Sequence, residues 1–306
     1  MPKTDAEQPI DMKITVGKLV ELKKGKRKRT RKLGVLSSRE ILRYYQKGRI
    51  SILPFSETSI QPNSYDVRLG EFFYQERKKR DTSERPNFYN MHTPGARMWE
   101  ELPNRGYRLI DWIVRSKKID RLVQGRNITY AALYKAICLW AEIEFTGVRL
   151  LDRIMILGPG ETILGHTEEF IGGLDGVTTM LKTRSSYGRS NIGICKCAGW
   201  GDTGFINRWT LEITNFAKNH GVMLVCGRRV GQIVFFRTGE TLETYRGKYQ
   251  DANQTAEQLV EKWHPSQMLP NLDNDIECAK SLEEQCAGVS GEYFTELCKK
   301  QQIELK

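Results

Sequence analysis

Between Arg153 and Arg237 the chain alternates short apolar runs with glycine-centred breaks: Gly158-Pro159-Gly160, Gly172-Gly173, Gly199-Trp200-Gly201 and Cys226-Gly227. Apolar residues at every second position suit strands, whose successive side chains point to opposite faces, and glycine and proline supply the turns between them. The breaks lie too close together for the long crossovers that parallel strands require. The stretch therefore predicts an antiparallel all-β barrel or jelly roll rather than a parallel α/β sheet.

Strand patterns also precede this region, in Ile50-Ser51-Ile52-Leu53-Pro54-Phe55 and in Tyr65-Asp66-Val67-Arg68-Leu69-Gly70. Before them, Ser37 or Ser38 is a candidate cap for a short helix with Ile41, Leu42 and Tyr45 on one face, ending near Gly48. Helical spacing in Tyr107–Val123 and Thr129–Glu142 predicts an inserted helical subdomain over about 80–145. Thr255–Trp263 and Asp275–Gln285, with breaks at His264-Pro265 and Pro270, predict a helical C-terminal extension over 255–306. The expected organisation is a tail over 1–33, a β domain over 34–254 that carries the insertion, and that extension.

The chain has 306 residues, of which 39% are hydrophobic, enough to bury a substantial core. Its formal charge is +11, but Lys23–Lys32 holds eight basic residues, so the excess is largely local. So dense a like-charge block, poor in aromatics, predicts a disordered basic tail. Nucleic-acid binding through that tail is the weaker reading, because no aromatic residue is interleaved for base stacking. No run approaches the roughly 18 apolar residues of a membrane span, and Met1-Pro2-Lys3-Thr4-Asp5 opens no secretory signal. A soluble cytoplasmic protein without membrane partners is expected. The seven cysteines contain no C-x-x-C pair, so free thiols are expected rather than a disulfide framework or a four-ligand zinc site.

The richest chemistry lies between Arg184 and Glu212. Arg184, Ser185, Ser186 and Arg189 offer two guanidinium forks and two hydroxyls, a donor set suited to phosphate, with a solvated turn paired to carboxylates as the alternative. In Trp209-Thr210-Leu211-Glu212-Ile213-Thr214-Asn215, alternation puts Trp209, Leu211 and Ile213 on one face and Thr210, Glu212 and Thr214 on the other. An acid facing an enclosed cleft is a candidate for proton transfer.

The ordered set S-S-R-E-I, G-R-I-S-I-L-P-F, Q-P-N-S-Y-D-V-R-L-G, I-L-G-P-G-E-T-I-L-G-H-T-E-E-F, R-S-S-Y-G-R, A-G-W-G-D-T-G-F, T-L-E-I-T-N, G-R-R-V-G-Q-I-V-F and Y-R-G-K-Y-Q resembles the dCTP deaminase family, relatives of the trimeric dUTPases, from about Leu36 to Gln250. The resemblance implies a mainly β, dUTPase-like distorted jelly roll or β-barrel (β-clip) core, assembled as a homotrimer with sites built from neighbouring subunits. It implies hydrolytic deamination of a deoxycytidine nucleotide, dCTP giving dUTP and ammonia, without a catalytic transition metal. Glu212 would be the general base and then acid, with Ser185, Arg189 and the Ala198 carbonyl positioning the water. Arg184, Ser186 and Gln232 would contact phosphates, Asp202 the sugar 3′-hydroxyl, and Tyr245 and Lys248 the closing segment. Magnesium would enter with the triphosphate.

Cys195 and Cys197 stand where many members have His and Thr, and Ala252 stands where a closing glutamine is common, so Gln254 is the candidate replacement. Ala198-Gly199-Trp200 looks like the subgroup that also hydrolyses dUTP, so a dUTPase or a bifunctional enzyme forming dUMP is the alternative. A regulatory or nucleic-acid-binding protein with a degenerate site is the second alternative. His166-Thr167-Glu168 matches half of a zinc-deaminase signature whose P-C-x-x-C half is missing, so zinc is not expected. Family housekeeping enzymes are shorter, and the added length admits a specialised role, depletion of dCTP in antiviral defence.

Overall fold

The computed structural model describes residues 34–77, 98–102, 107–109, 147–247, 249–250 and 254–272, with single positions at 91, 111, 129, 132 and 135. The basic block, most of the expected helical insertion, Lys248, Ala252 and Asp275–Gln285 lie outside the described residues.

Strand β1 (Gly34–Val35) leads into helix α1 (Ser38–Gln46). Ser37 and Glu40 form its capping box, with the Ser37 N–H donating to Glu40 Oε2 at 3.2 Å, so two end groups of the helix find partners. Ile41 is buried as expected, but Tyr44 joins it in the core while Leu42 and Tyr45 are only partly covered. Four strands follow: β2 (Ile50–Leu53), β3 (Ile60–Gln61), β4 (Ser64–Arg68) and β5 (Tyr74–Glu76). Then come β6 (Trp99–Glu101), β7 (Tyr107–Arg108), β8 (Arg153–Leu157), β9 (Thr162–Gly173) and β10 (Val177–Thr183). Helix α2 (Ser185–Arg189) precedes β11 (Ile192–Gly193), β12 (Trp200–Gly201), β13 (Ile206–Asn215), β14 (Val222–Val225) and β15 (Arg229–Arg237), and helix α3 (Ala256–Lys262) lies beyond them.

The pairings between these strands are antiparallel, as the turn spacing predicts. One sheet runs β12-β10-β15-β4-β3 with β1 on β15, the second runs β11-β13-β9-β5-β6 with β2 on β9, and a third runs β14-β8-β7. The largest apolar cluster among the described residues joins them, with Tyr65, Phe235, Leu181, Ile171, Leu211, Ile213 and Leu157 among its members. Truncating so enclosed a side chain as Phe235 to alanine costs about 3–5 kcal/mol through lost transfer energy and the cavity left behind.

Within the span expected to be helical over 80–145, two short described pieces are strands. Trp99–Glu101 pairs with β5, and Tyr107–Arg108 pairs with β8. Backbone partners on those strands, and the burial of Trp99 against Tyr74, Leu164 and Met268, override the local helical spacing.

β9 and β13 form the longest pairing, and a bulge in β9 opposite Trp209 shapes its middle. Thr167 repairs the interrupted ladder: its hydroxyl accepts the Trp209 N–H at 2.9 Å and donates to the Glu169 carbonyl at 2.7 Å. This pairing carries Glu212, opposite Leu164, onto the wall of a cavity.

Candidate active site

A cavity of about 480 Å³ opens beside β13 and brings Glu212, Ala198, Asp202 and Tyr245 together. Alternation along β13 does as the sequence predicts: Trp209, Leu211 and Ile213 are buried in the core, while Thr210 and Glu212 line the cavity. Glu212 is half-buried rather than enclosed, and its Oε2 accepts the Lys196 backbone N–H at 3.0 Å. Its carboxylate is thus tied to the loop that carries Ala198.

That loop is fixed from two sides. The Leu181 N–H donates to the Gly199 carbonyl at 2.7 Å, and the Ile194 N–H donates to Thr183 Oγ1 at 3.2 Å. Gly199 lies so close to Leu181 that an added Cβ would stand 2.6 Å from the Leu181 carbonyl oxygen. Between them Cys197 takes a left-handed backbone at φ 69°, which costs a non-glycine residue of order 1–3 kcal/mol and tends to persist where surroundings impose it. Burial pushes the Cys195 thiol above its ordinary range, and the negative charge of Glu212 adds to that effect.

Asp202 begins a tight turn in which the Phe205 N–H donates to the Asp202 carbonyl at 3.1 Å, with Gly204 at φ 98°. A positive φ at the third turn position is what makes glycine the suitable residue there. Trp200, Asp202 and Tyr245 line both the Glu212 cavity and a neighbouring one of about 500 Å³ that also touches Thr178, Thr244 and Arg246. The closing segment is docked in this chain. The Tyr245 N–H donates to the Thr203 carbonyl at 2.9 Å, and its ring meets Phe205 edge-on at 5.2 Å. Gln250, buried, accepts the Ile206 N–H at 2.7 Å and donates to the Gly204 carbonyl at 2.9 Å. Gln254 is half-buried and is not among the residues that line the cavity, whereas Gln250 ties this segment to the Gly204 turn.

The other expected residues form a separate group. Arg184, Ser185, Ser186, Arg189 and Gln232 do not line the Glu212 cavity. Ser185, Ser186 and Arg189 are exposed on α2, and Arg189 makes no ion pair among the described residues. Arg184 Nε lies 3.3 Å from Asp66 Oδ2, and its terminal nitrogen donates to the Arg229 carbonyl at 3.1 Å. Arg184 is thus paired with a buried carboxylate in this chain. Asp66 is buried, which raises its carboxyl above the usual range against the opposing pull of Arg184 and Arg229. Gln232 lies opposite Asp66 in the β4–β15 register and accepts the Ser64 hydroxyl at 3.4 Å.

His166 is a core residue. Its Nδ1 lies 2.7 Å from the Thr167 carbonyl and its Nε2 accepts the Phe72 N–H at 3.2 Å, the pattern of a neutral ring protonated at Nδ1. Burial pushes its pKa down to about 3. Among the described residues no group of three or more His, Cys, Asp and Glu side chains could hold a metal ion.

Arg208, Tyr249, Trp263, Gln267 and Met268 were not among the expected site residues, although all five line the cavity. The parity of Arg208 with Glu212 was a usable signal. The others come from a segment folded back over β13, which no local pattern announces.

The dCTP deaminase-like family matches residues 35–103 and 121–238, and the chain belongs to it. A relative from Acidothermus cellulolyticus, named "dCTP deaminase, dUMP-forming", is 30% identical over 71% of this chain and 90% of its own length. One of the same name from Methanococcus vannielii is 27% identical over 79% of this chain and 99% of its own. The crystal structure of 2′-deoxycytidine 5′-triphosphate deaminase from Agrobacterium tumefaciens aligns with a TM-score of 0.41 and 17% identity, over 68% of this chain and 47% of that one. Among the described residues no helix is long and apolar enough to cross a membrane.

Proposed function

We propose that the protein deaminates dCTP and hydrolyses the resulting triphosphate, so that the product is dUMP rather than dUTP. The dUTP product expected from sequence gives way because relatives matched over most of their length carry the name dUMP-forming. The observation that carries the reading is the cavity in which Glu212 and Ala198 share a wall with Asp202 and Tyr245.

In the first step water adds to carbon 4 of the cytosine ring. Glu212 accepts a proton from that water and passes it to ring nitrogen 3, then carries the proton of the new hydroxyl to the exocyclic nitrogen, which leaves as ammonia as the carbonyl forms. The Lys196 N–H holds Glu212 Oε2 in place through both transfers. In the second step a water activated by Asp202 attacks the α-phosphorus, and pyrophosphate departs with the magnesium it carries. The position of Asp202 between two cavities supports this division of labour, since ring and phosphates can lie on different sides of one carboxylate.

A homotrimer is part of the proposal. Ser185, Arg189 and Gln232 lie apart from Glu212 within one chain, so a neighbouring copy would supply them to the same nucleotide. Depletion of dCTP in antiviral defence is a consistent cellular use of such chemistry.

Incubating the protein and magnesium with dCTP, dCDP, dCMP, CTP and dUTP, then resolving the products, tests the reading. dUMP from both dCTP and dUTP supports it, and inert dCTP overturns it. Glu212→Gln keeps size and hydrogen bonding but not proton transfer, so turnover should fall by about 10²–10⁴-fold with dCTP binding retained.

A further inference from the structure

Arg208 leaves β13 on the same face as Thr210 and Glu212 and lines the same cavity. Its guanidinium is clamped between two rings, with Cζ 4.5 Å from the centroid of Trp263 and 5.0 Å from that of Phe170. Its Nε is buried and has no hydrogen-bond partner. The nearby carboxylates are engaged elsewhere: Arg68 lies 3.2 Å from Glu168 and 2.7 Å from Glu169. Among the described residues Arg208 forms no ion pair. A cation held at a cavity wall without a carboxylate partner is a costly arrangement for the empty protein, and an acceptor that a ligand brings to the terminal nitrogens of the guanidinium offsets that cost, the buried Nε itself being out of a ligand's reach.

Trp263 comes from the segment after α3, beyond the family-matched residues, which end at 238. It is itself fixed, with His166 at 4.8 Å and Phe72 at 5.7 Å between ring centroids. Gln267 from the same segment accepts the Asn207 side-chain N–H at 3.4 Å, which joins this segment to the residue beside Arg208. The extension thus builds one wall of the cavity and covers one face of the guanidinium, which also borders a second cavity beside Glu71 and Glu168.

We propose that Arg208 is a substrate-binding residue that donates to an oxygen of the bound nucleotide, and that Trp263 is the positioning residue that aims it. The inference rests on reading the Glu212 cavity as the nucleotide site. The oxygen belongs either to a phosphate or to the base and sugar, and planar N–H donors suit each.

The test uses the full chain and follows kcat and KM for dCTP, together with calorimetric binding of dCTP and deoxycytidine in a Glu212→Gln background. Arg208→Gln should raise KM roughly tenfold with kcat changed by less than about twofold, as expected for one charge-assisted hydrogen bond made equally in ground and transition states. Trp263→Leu should shift KM in the same direction, and Trp263→Phe, which keeps an aromatic face, should restore it. The Arg208→Gln, Trp263→Leu pair should be no worse than Arg208→Gln alone, the non-additivity expected of residues acting as a unit. Weakened binding of dCTP alone assigns the oxygen to a phosphate, whereas equal weakening of deoxycytidine assigns it to the base or sugar. KM and affinity unchanged in a normally folded Arg208→Gln variant, or fully additive losses in the pair, would overturn the proposal. Arg208→Lys, which keeps the charge and should recover part of the affinity, decides the matter if Arg208→Gln does not fold. Absence of ammonia release by the unaltered protein would sink the deaminase reading instead, and the calorimetric arm would still judge Arg208.

Discussion

His166 shows how a residue that sequence offers as a ligand is claimed by the core. Both ring nitrogens are engaged, and the ring packs at a tilt against Phe72 and Trp263. With its pKa near 3 in the folded chain against an ordinary 6.5, the unfolded chain binds the extra proton between those values. Stability is therefore complete above about pH 6.5 and declines as pH falls, by about 2 kcal/mol between pH 7 and pH 5 from this group alone. Denaturant unfolding at those two pH values should show that loss, and His166→Gln should flatten it. An equal slope in the variant would mean that other groups govern the acid side. Arg184 gives the complementary lesson, since the arginine that reads as a phosphate ligand spends its Nε on buried Asp66 in this chain.

At the level of elements, strands were legible wherever local chemistry decides them. The Trp209–Asn215 alternation, the Asp202–Phe205 turn and the capped start of α1 follow from side-chain parity, a glycine at positive φ and a serine–glutamate box. What stayed hidden depends on contacts distant in sequence. Trp99–Glu101 becomes a strand because β5 offers it an edge, and Trp263 becomes a cavity wall because α3 packs Leu259 against Phe170 and Ile206. Helix α3 begins with a box of its own, Thr255 Oγ1 accepting the Gln258 N–H at 3.3 Å while the Thr255 N–H donates to Gln258 Oε1 at 3.0 Å. Thr255→Ala should cost about 1 kcal/mol. Amide exchange within α3 should then quicken about fivefold if the helix opens locally. Unchanged exchange would mean that the packing of Leu259 alone holds the element.

On the scale of the whole molecule, a single chain holds Glu212, Ala198, Asp202 and Tyr245 in one cavity and Ser185, Arg189 and Gln232 outside it. The sequence lists all seven without saying that they fall into two groups, because strand order across the sheets, not spacing along the chain, decides which neighbours meet. If adjacent copies complete the site, inactive Glu212→Gln and Arg189→Ala chains, unfolded and refolded together in equal amounts, should recover about a quarter of the original activity through sites that draw an intact residue from each copy. No recovery in mixed oligomers would place both residues in the same copy's site. The most direct measurement is the simultaneous release of ammonia and pyrophosphate from dCTP. One ammonia and one pyrophosphate per dUMP formed is the result expected of a dUMP-forming deaminase. Ammonia accumulating with dUTP and no pyrophosphate, or no ammonia at all, would contradict it.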